Sequence, residues 1–189
     1  MSKSDPLDRR AVVTASRYMG MVAWPTVTLG AGLAAAYLGV VAMALAGFLS
    51  SWLAVPLVAL ITYLSYTVLH EAVHGSIAGN NSSLRWLNKA LGYVAAWITM
   101  IPLTAHRHEH MAHHRHANDP AGDPDFHVGQ MWRSALAPVP TALRAWVSQF
   151  SYYLANRWAD APPRQNLYLC LEVLAALLPR VAVIVAGYW

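Results

Sequence analysis

The chain reads as an all-α integral membrane protein, with transmembrane helices joined by amphipathic helices in the interface. Composition, charge distribution and histidine spacing each lead there. Of its residues, 57% are hydrophobic and 12% charged, against roughly 25% charged in an average soluble domain. No Asp, Glu, Lys or Arg occurs from Tyr18 through His70, a stretch long enough for two crossings at about 20 residues each. All the histidines lie between His70 and His127. His70 and His74 stand at i and i+4, and His106, His110, His113 and His114 at i, i+4, i+7 and i+8, so on a helix each set faces one way.

Residues 1–20 are polar and basic, with Lys3, Arg9, Arg10 and Arg17, and are expected to form a cytoplasmic N-terminal segment. A first span is expected over 21–45. It contains Pro25 and several glycines, which a membrane helix tolerates because neighbouring helices satisfy the freed backbone groups. Its apolar run exceeds the roughly 7–15 residues of a signal-peptide core and a second span follows at once, so it reads as an uncleaved anchor. The break at Gly47 to Ser51 leads into that second span, over 52–74. The short connection carries no Lys or Arg, whereas Arg85, Lys89, Arg107 and Arg115 follow His74. By the positive-inside rule both histidine blocks then face the cytoplasm, as in a bacterial inner membrane.

Gly79-Asn80-Asn81-Ser82-Ser83 is a loop. Leu84, Leu87, Leu91, Val94 and Ile98 then recur at helical spacing, which suggests an interfacial helix over 84–102. Beyond His116, Pro120 and Pro124 end the helical pattern. Leu143, Trp146, Val147, Phe150, Leu154 and Trp158 form a second interfacial stripe, over 141–159. Residues 167–189 are apolar but interrupted by Glu172, Pro179 and Arg180, and are expected to form an incomplete membrane segment. Residues 21–189 thus read as one membrane domain, and the chain as an N-terminal portion of a longer protein.

The clustered histidines point to metal chemistry. Imidazole suits iron, zinc and copper, and several can share a site without the charge build-up of crowded carboxylates. The lone cysteine, Cys170, has no partner for an intrachain disulfide and excludes a thiolate zinc site or an iron–sulfur cluster. The net charge of +4, with Arg133, Arg144, Arg157 and Arg164 after the histidines, reads as membrane-surface anchoring. No nucleic-acid partner is expected. His70 and His74 emerge at the end of the second span, where ionisable groups are costly. Glu71 lies about 100° around the helix from His70 and is open as a ligand, a base or an acceptor that orients a ligand. His110, His113 and His114 are the sharpest set in the second block. His106, one turn earlier on their face, is a ligand or a residue that orients one, while His108 and His116 point elsewhere.

His70-Glu71-Ala72-Val73-His74-Gly75, followed by His110-Met111-Ala112-His113-His114-Arg115-His116-Ala117-Asn118-Asp119 and Asp123-Pro124-Asp125, resembles the first two histidine boxes of the membrane fatty acid desaturase and hydroxylase superfamily. The resemblance covers roughly Thr62 to Phe126. It implies a non-haem di-iron centre with two Fe held by His70, His74, His110, His113 and His114, and with His106, Glu71, Asn118 and Asp119 as further ligands or their supports. It also implies O2 as co-substrate, electrons from a ferredoxin or cytochrome b5 type donor, and desaturation or hydroxylation of a fatty acyl or related lipid chain. Members of the superfamily carry a third box of HxxHH type further on, and no histidine occurs from Val128 to Trp189. The ligand set is therefore expected to be incomplete and this polypeptide inactive alone.

Two other readings stand beside it. His70-Glu71-Ala72-Val73-His74 also satisfies HExxH, two zinc ligands flanking a general base of a membrane metalloprotease, with Asp119, Asp123 or a later histidine as third ligand. That reading leaves the second histidine block unused, and no LDG-like ligand motif is present. The third is a non-catalytic membrane metal-binding protein.

Overall fold

A computed structural model describes residues 13, 14, 16 and 20–187, so most of the expected N-terminal segment 1–20, and the last two residues of 167–189, lie outside the described residues. The described chain is helical, with no strand among the described residues. Among the described residues six α-helices of 14 residues or more follow in order: α1 Trp24–Leu45, α2 Ser51–His74, α3 Trp86–Thr99, α4 Leu103–His116, α5 Pro138–Asn156 and α6 Pro163–Gly187. Three of them, α1, α2 and α6, are long and apolar enough to cross a membrane.

α1 starts at Trp24 rather than near residue 21 because Pro25 occupies its first turn, where no amide donor is required. The residues before it run along the loop that follows α2: Ala23 N–H donates to the Ile77 carbonyl at 2.8 Å, and Asn80 N–H to the Gly20 carbonyl at 2.8 Å. The strands of chain approach so closely that any Cβ at Gly79 would meet the Gly20 and Met21 carbonyl oxygens.

α2 and α3 pack through small residues, as helices do where lipid offers no hydrophobic gradient between them. A Cβ at Gly92 of α3 would lie 3.0 Å from the Ala72 Cβ, so the absence of a side chain there seats α3 on α2 between the two histidines of the first block. Leu33 and Tyr37 of α1, Ile61, Val68 and Leu69 of α2, and Ala95, Ala96 and Ile98 of α3 form the main buried cluster. α3 has 14 residues, or about 21 Å of helix, too short to cross. It stops at Thr99 because Met100 turns left-handed, at φ 57°, rather than running to residue 102. α5 begins at Pro138, earlier than the stripe suggested, with prolines in its opening turn.

The largest difference concerns the last segment. Glu172, Pro179 and Arg180 interrupt its apolar run, yet the helix α6 is continuous over its 25 residues. Each disturbance is compensated from a neighbouring helix. Pro179 cannot donate to the Ala175 carbonyl, and the Trp97 indole N–H of α3 donates to that oxygen instead, at 3.0 Å. Glu172 accepts from Thr104, through its N–H at 3.0 Å and its hydroxyl at 2.6 Å. Arg180 donates to the Trp97 carbonyl at 2.7 Å. A second core of Ala105, Tyr153, Ala161 and Leu169 joins α4, α5 and α6.

Candidate metal centre

The end of α2 is built to present histidines. The helix stops immediately after His74 because Gly75 adopts a left-handed conformation at φ 71°, the helix-ending geometry glycine takes without steric cost. The loop beyond is pinned to α3 by the Asn88 side-chain carbonyl, which accepts from the Ile77 N–H at 3.0 Å and the Ala78 N–H at 3.3 Å. α4 crosses this end, and its helical spacing aims His106, His110, His113 and His114 back toward α2.

His70, His74, His110 and His114 converge, each offering one ring nitrogen, with these atoms all within 4.8 Å of one another. The His74 and His110 Nε2 atoms are 3.0 Å apart and the His114 and His110 Nε2 atoms 3.1 Å apart. Two donors at right angles around an ion about 2.1 Å from each would stand about 3.0 Å apart. An all-imidazole set of this kind suits iron, zinc or copper. Burial, and then the crowding of His106, His70, His114 and His74, push His110 down to about 3. It is therefore neutral, with a lone pair to give, at any physiological pH. These residues fit a first-row metal ion.

His113 does not join that quartet. Its Nδ1 lies 2.7 Å from Asp123 Oδ1, and because a carboxylate only accepts, Nδ1 carries the proton and Nε2 the lone pair. A carboxylate on the far nitrogen of a ligating histidine fixes tautomer and ring orientation. Asp123 is itself held by the Asn118 N–H at 2.8 Å and the Asp125 N–H at 2.9 Å. Burial opposes its ionisation, but the His113, Asn118 and Asp125 hydrogen bonds outweigh it and hold its carboxyl below the usual range.

His106 is fully buried and stacks on His110 with ring centroids 5.2 Å apart. Its Nδ1 meets the Gln149 carbonyl oxygen at 2.6 Å, leaving a buried Nε2 with no partner among the described residues. The Gln149 amide donates in turn to Glu109 Oε1 at 2.9 Å. Burial first, and then the carboxylate of Asp125, push Glu109 up to about 8. Burial also lowers the His106 pKa, against the pull of the Gln149 bond.

Besides His113 and His106, three further sequence candidates sit outside the quartet. Glu71 lies beside the quartet: its Oε1 is 3.5 Å from His70 Nδ1, and the Ser76 hydroxyl lies against its other carboxylate oxygen. Asn118, left-handed at φ 65°, contributes its backbone N–H to Asp123. Asp119 accepts from the Ala121 N–H at 3.0 Å and caps a turn. His108 packs against Tyr152 and Tyr153, and His116 is exposed. In the sequence Asp123 stands out only as a motif member and a candidate third zinc ligand, and Gln149 does not stand out. The available signal for Gln149 was a polar residue one turn after Trp146 within an apolar stripe.

Two cavities adjoin these residues. One of about 850 Å³ is lined by Tyr66, His113, Asp123, Phe126, Trp146 and Gln149 among others. The second, about 830 Å³, is bounded by apolar side chains of α3, α5 and α6, including Trp97, Phe150 and Leu171. Trp146 borders both.

A family model described as fatty acid desaturase matches residues 46–189. The chain is similar to a zeaxanthin 4-ketolase from Chlamydomonas reinhardtii, 34% identical over 110 residues, which are 55% of this chain and 21% of that protein. It is also similar to a beta-carotene ketolase from a Paracoccus species, 28% identical over 168 residues, which are 78% of this chain and 57% of that protein. The chain thus spans about a fifth of one curated relative and just over half of the other. No solved structure gives a significant match.

Proposed function

This chain belongs to the fatty acid desaturase family, and on that premise we propose that it serves in a membrane-bound, non-haem di-iron oxidoreductase. The reaction is the O2-dependent oxidation of an unactivated methylene in an apolar lipid, by desaturation, hydroxylation or ketone formation. The observation that carries it is the convergence of His70, His74, His110 and His114 from two helices at one end of a candidate span. Iron bound there would supply the reductive activation of O2 that such a C–H bond requires.

The chain's own residues supply positions for the reaction. His70, His74, His110 and His114 would hold one ion, and His113, with its proton fixed on Asp123, presents Nε2 toward a second. His106, held by Gln149, backs His110 by stacking. The cavity beside His113 and Asp123, of about 850 Å³, offers an elongated apolar molecule a place between Tyr66, Phe126 and Trp146. Because both similar relatives are named as ketolases of carotenoids, a carotenoid ring is the substrate class to test first, ahead of fatty acyl chains. In this reading electrons come from a ferredoxin or cytochrome b5 type donor at the cytoplasmic face of a bacterial inner membrane, a placement supported by the basic residues after His74. Glu71, turned to Ser76, gives no support to the zinc protease reading.

The test is to purify the protein carrying this chain from membranes, load it with iron, and supply reduced ferredoxin, beta-carotene and isotopically labelled O2. Iron retained by the protein and label recovered in an oxidised carotenoid is the expected result. Stoichiometric zinc with peptide cleavage and no oxygen uptake would overturn it.

A further inference from the structure

α6 contributes no histidine, yet beyond Arg164 in its first turn it carries two charged side chains within the apolar part of the third span, Glu172 and Arg180. Ionisable groups inside a membrane segment are costly, and each therefore calls for a partner and a reason. Both have partners, and both partners are helix ends. Thr104 is the second residue of α4, the helix that carries His106, His110, His113 and His114. Its N–H is among the four that an α-helix leaves without an internal acceptor at its start. Glu172 accepts from that N–H at 3.0 Å and from the Thr104 hydroxyl at 2.6 Å. A carboxylate there also meets the positive end of the α4 dipole.

Two turns further along α6, Arg180 does the converse for α3. Its guanidinium donates to the Trp97 carbonyl at 2.7 Å and the Ile98 carbonyl at 3.4 Å, two of the carbonyls that α3 leaves free at its end. It also donates to the Tyr37 hydroxyl at 3.1 Å and lies 5.0 Å from the Trp97 ring centroid. A cation thus stands at the negative end of one helix and an anion at the positive start of the next. Between those two ends lies only the elbow Met100–Pro102, with Met100 left-handed. The Trp97 indole completes the grip by donating to the Ala175 carbonyl that Pro179 leaves free.

We infer that α6 is a clamp on the α3–α4 elbow, and that Glu172 is a positioning residue for the metal centre, setting where α4 begins and so where its histidine face meets His70 and His74. α2 reaches the site by its own helix and needs no such help, since Gly75 and Asn88 already fix its end. α4 starts beside an apolar cavity and has no side-chain cap of its own on its first residue. Without Glu172, nothing else among the described residues bonds the Thr104 N–H.

The part of this that concerns metal rests on the reading of the histidines given above. The experiment separates the two. The full chain in lipid nanodiscs is compared with Glu172→Ala, Glu172→Gln and Thr104→Val, alone and combined. Amide exchange over residues 101–107 is followed without metal, and cobalt(II) is titrated as a probe through its visible absorption band. The clamp predicts that Glu172→Ala speeds exchange at the start of α4 by about ten-fold or more while α1 and α2 keep their protection. It also predicts cobalt affinity lower by about 10–100-fold, with an altered band, as for residues that orient ligands. Glu172→Gln, which keeps one acceptor, falls between, and adding Thr104→Val to Glu172→Ala changes nothing further. Should Glu172→Ala fail to fold, Glu172→Gln carries the same two readouts. Wild-type exchange, affinity and band in the Glu172 variants would overturn the clamp, as would protection lost equally over α1 and α2 with the cobalt band unchanged. A wild-type protein that binds no cobalt counts against the metal reading alone, because the exchange comparison still judges the clamp.

Discussion

The Nε2 atoms of His74 and His110 face each other across 3.0 Å, although 36 positions separate the two residues in the chain. His74 ends one helix and His110 sits within another, so the distance measures how those helices cross. Two imidazole lone pairs held that close repel unless a proton or a cation lies between them. The same atom of His110 is also 3.1 Å from His114 Nε2, which makes His110 the hub.

Replacing the hub should therefore cost the most metal. His110→Ala is expected to lower metal affinity by more than the roughly 10–100-fold seen when only an orienting partner is lost. Elemental analysis of the purified variant checks this, with helical circular dichroism as the control for folding. A variant that retains wild-type iron would remove the quartet from consideration.

Asp123→Asn should act more mildly. The amide keeps one acceptor oxygen, enough for the Asp125 N–H or the Asn118 N–H but not both, and no longer provides a carboxylate for His113. Metal affinity or turnover is expected to fall about 10–100-fold. Turnover kinetics beside metal titration read the effect, and an unchanged variant would mean that His113 has no role at the centre.

Gln149→Leu removes both bonds of a buried bridge, leaving His106 Nδ1 without a partner and Glu109 Oε1 with only the Ser148 hydroxyl at 3.5 Å. Leaving buried polar groups unsatisfied costs about 1–3 kcal/mol. A lower unfolding midpoint in lipid nanodiscs is the expected outcome. A midpoint equal to wild type would show that water reaches these groups and that the site is wetter than its burial indicates.

Glu71→Gln distinguishes oxidation from proteolysis. With Glu71 held at Ser76 and outside the quartet, oxygen-dependent chemistry should persist within about ten-fold, one factor of 1.4 kcal/mol. A hydrolase that used this residue as its base would lose all activity. Oxygen uptake and peptide cleavage measured on one preparation decide between them.

Much of the fold was legible because its signals are local. The uncharged run from Tyr18 to His70 marked two spans, and i, i+4 spacing marked the helices that carry the histidines. Boundaries shifted where a single backbone conformation decided them, as at Met100, whose left-handed turn ends α3 early. In the last segment Glu172, Pro179 and Arg180 stand in the sequence as isolated costs, because their partners lie on other helices. Each is compensated by Thr104, Trp97 or the α3 carbonyls, more than 60 positions away in the chain.

For the site, periodicity alone established that His70 and His74 share a face, as do His106, His110, His113 and His114, because helical phase is a property of neighbouring residues. Which of these rings meet was decided only by the crossing of α2 and α4. That crossing gathers four histidines and leaves His113 with Asp123 and His106 with Gln149. Packing and capping set it, through Gly92 against Ala72 and α6 at the elbow, and those contacts join residues whose separation in the chain carries no trace of their proximity.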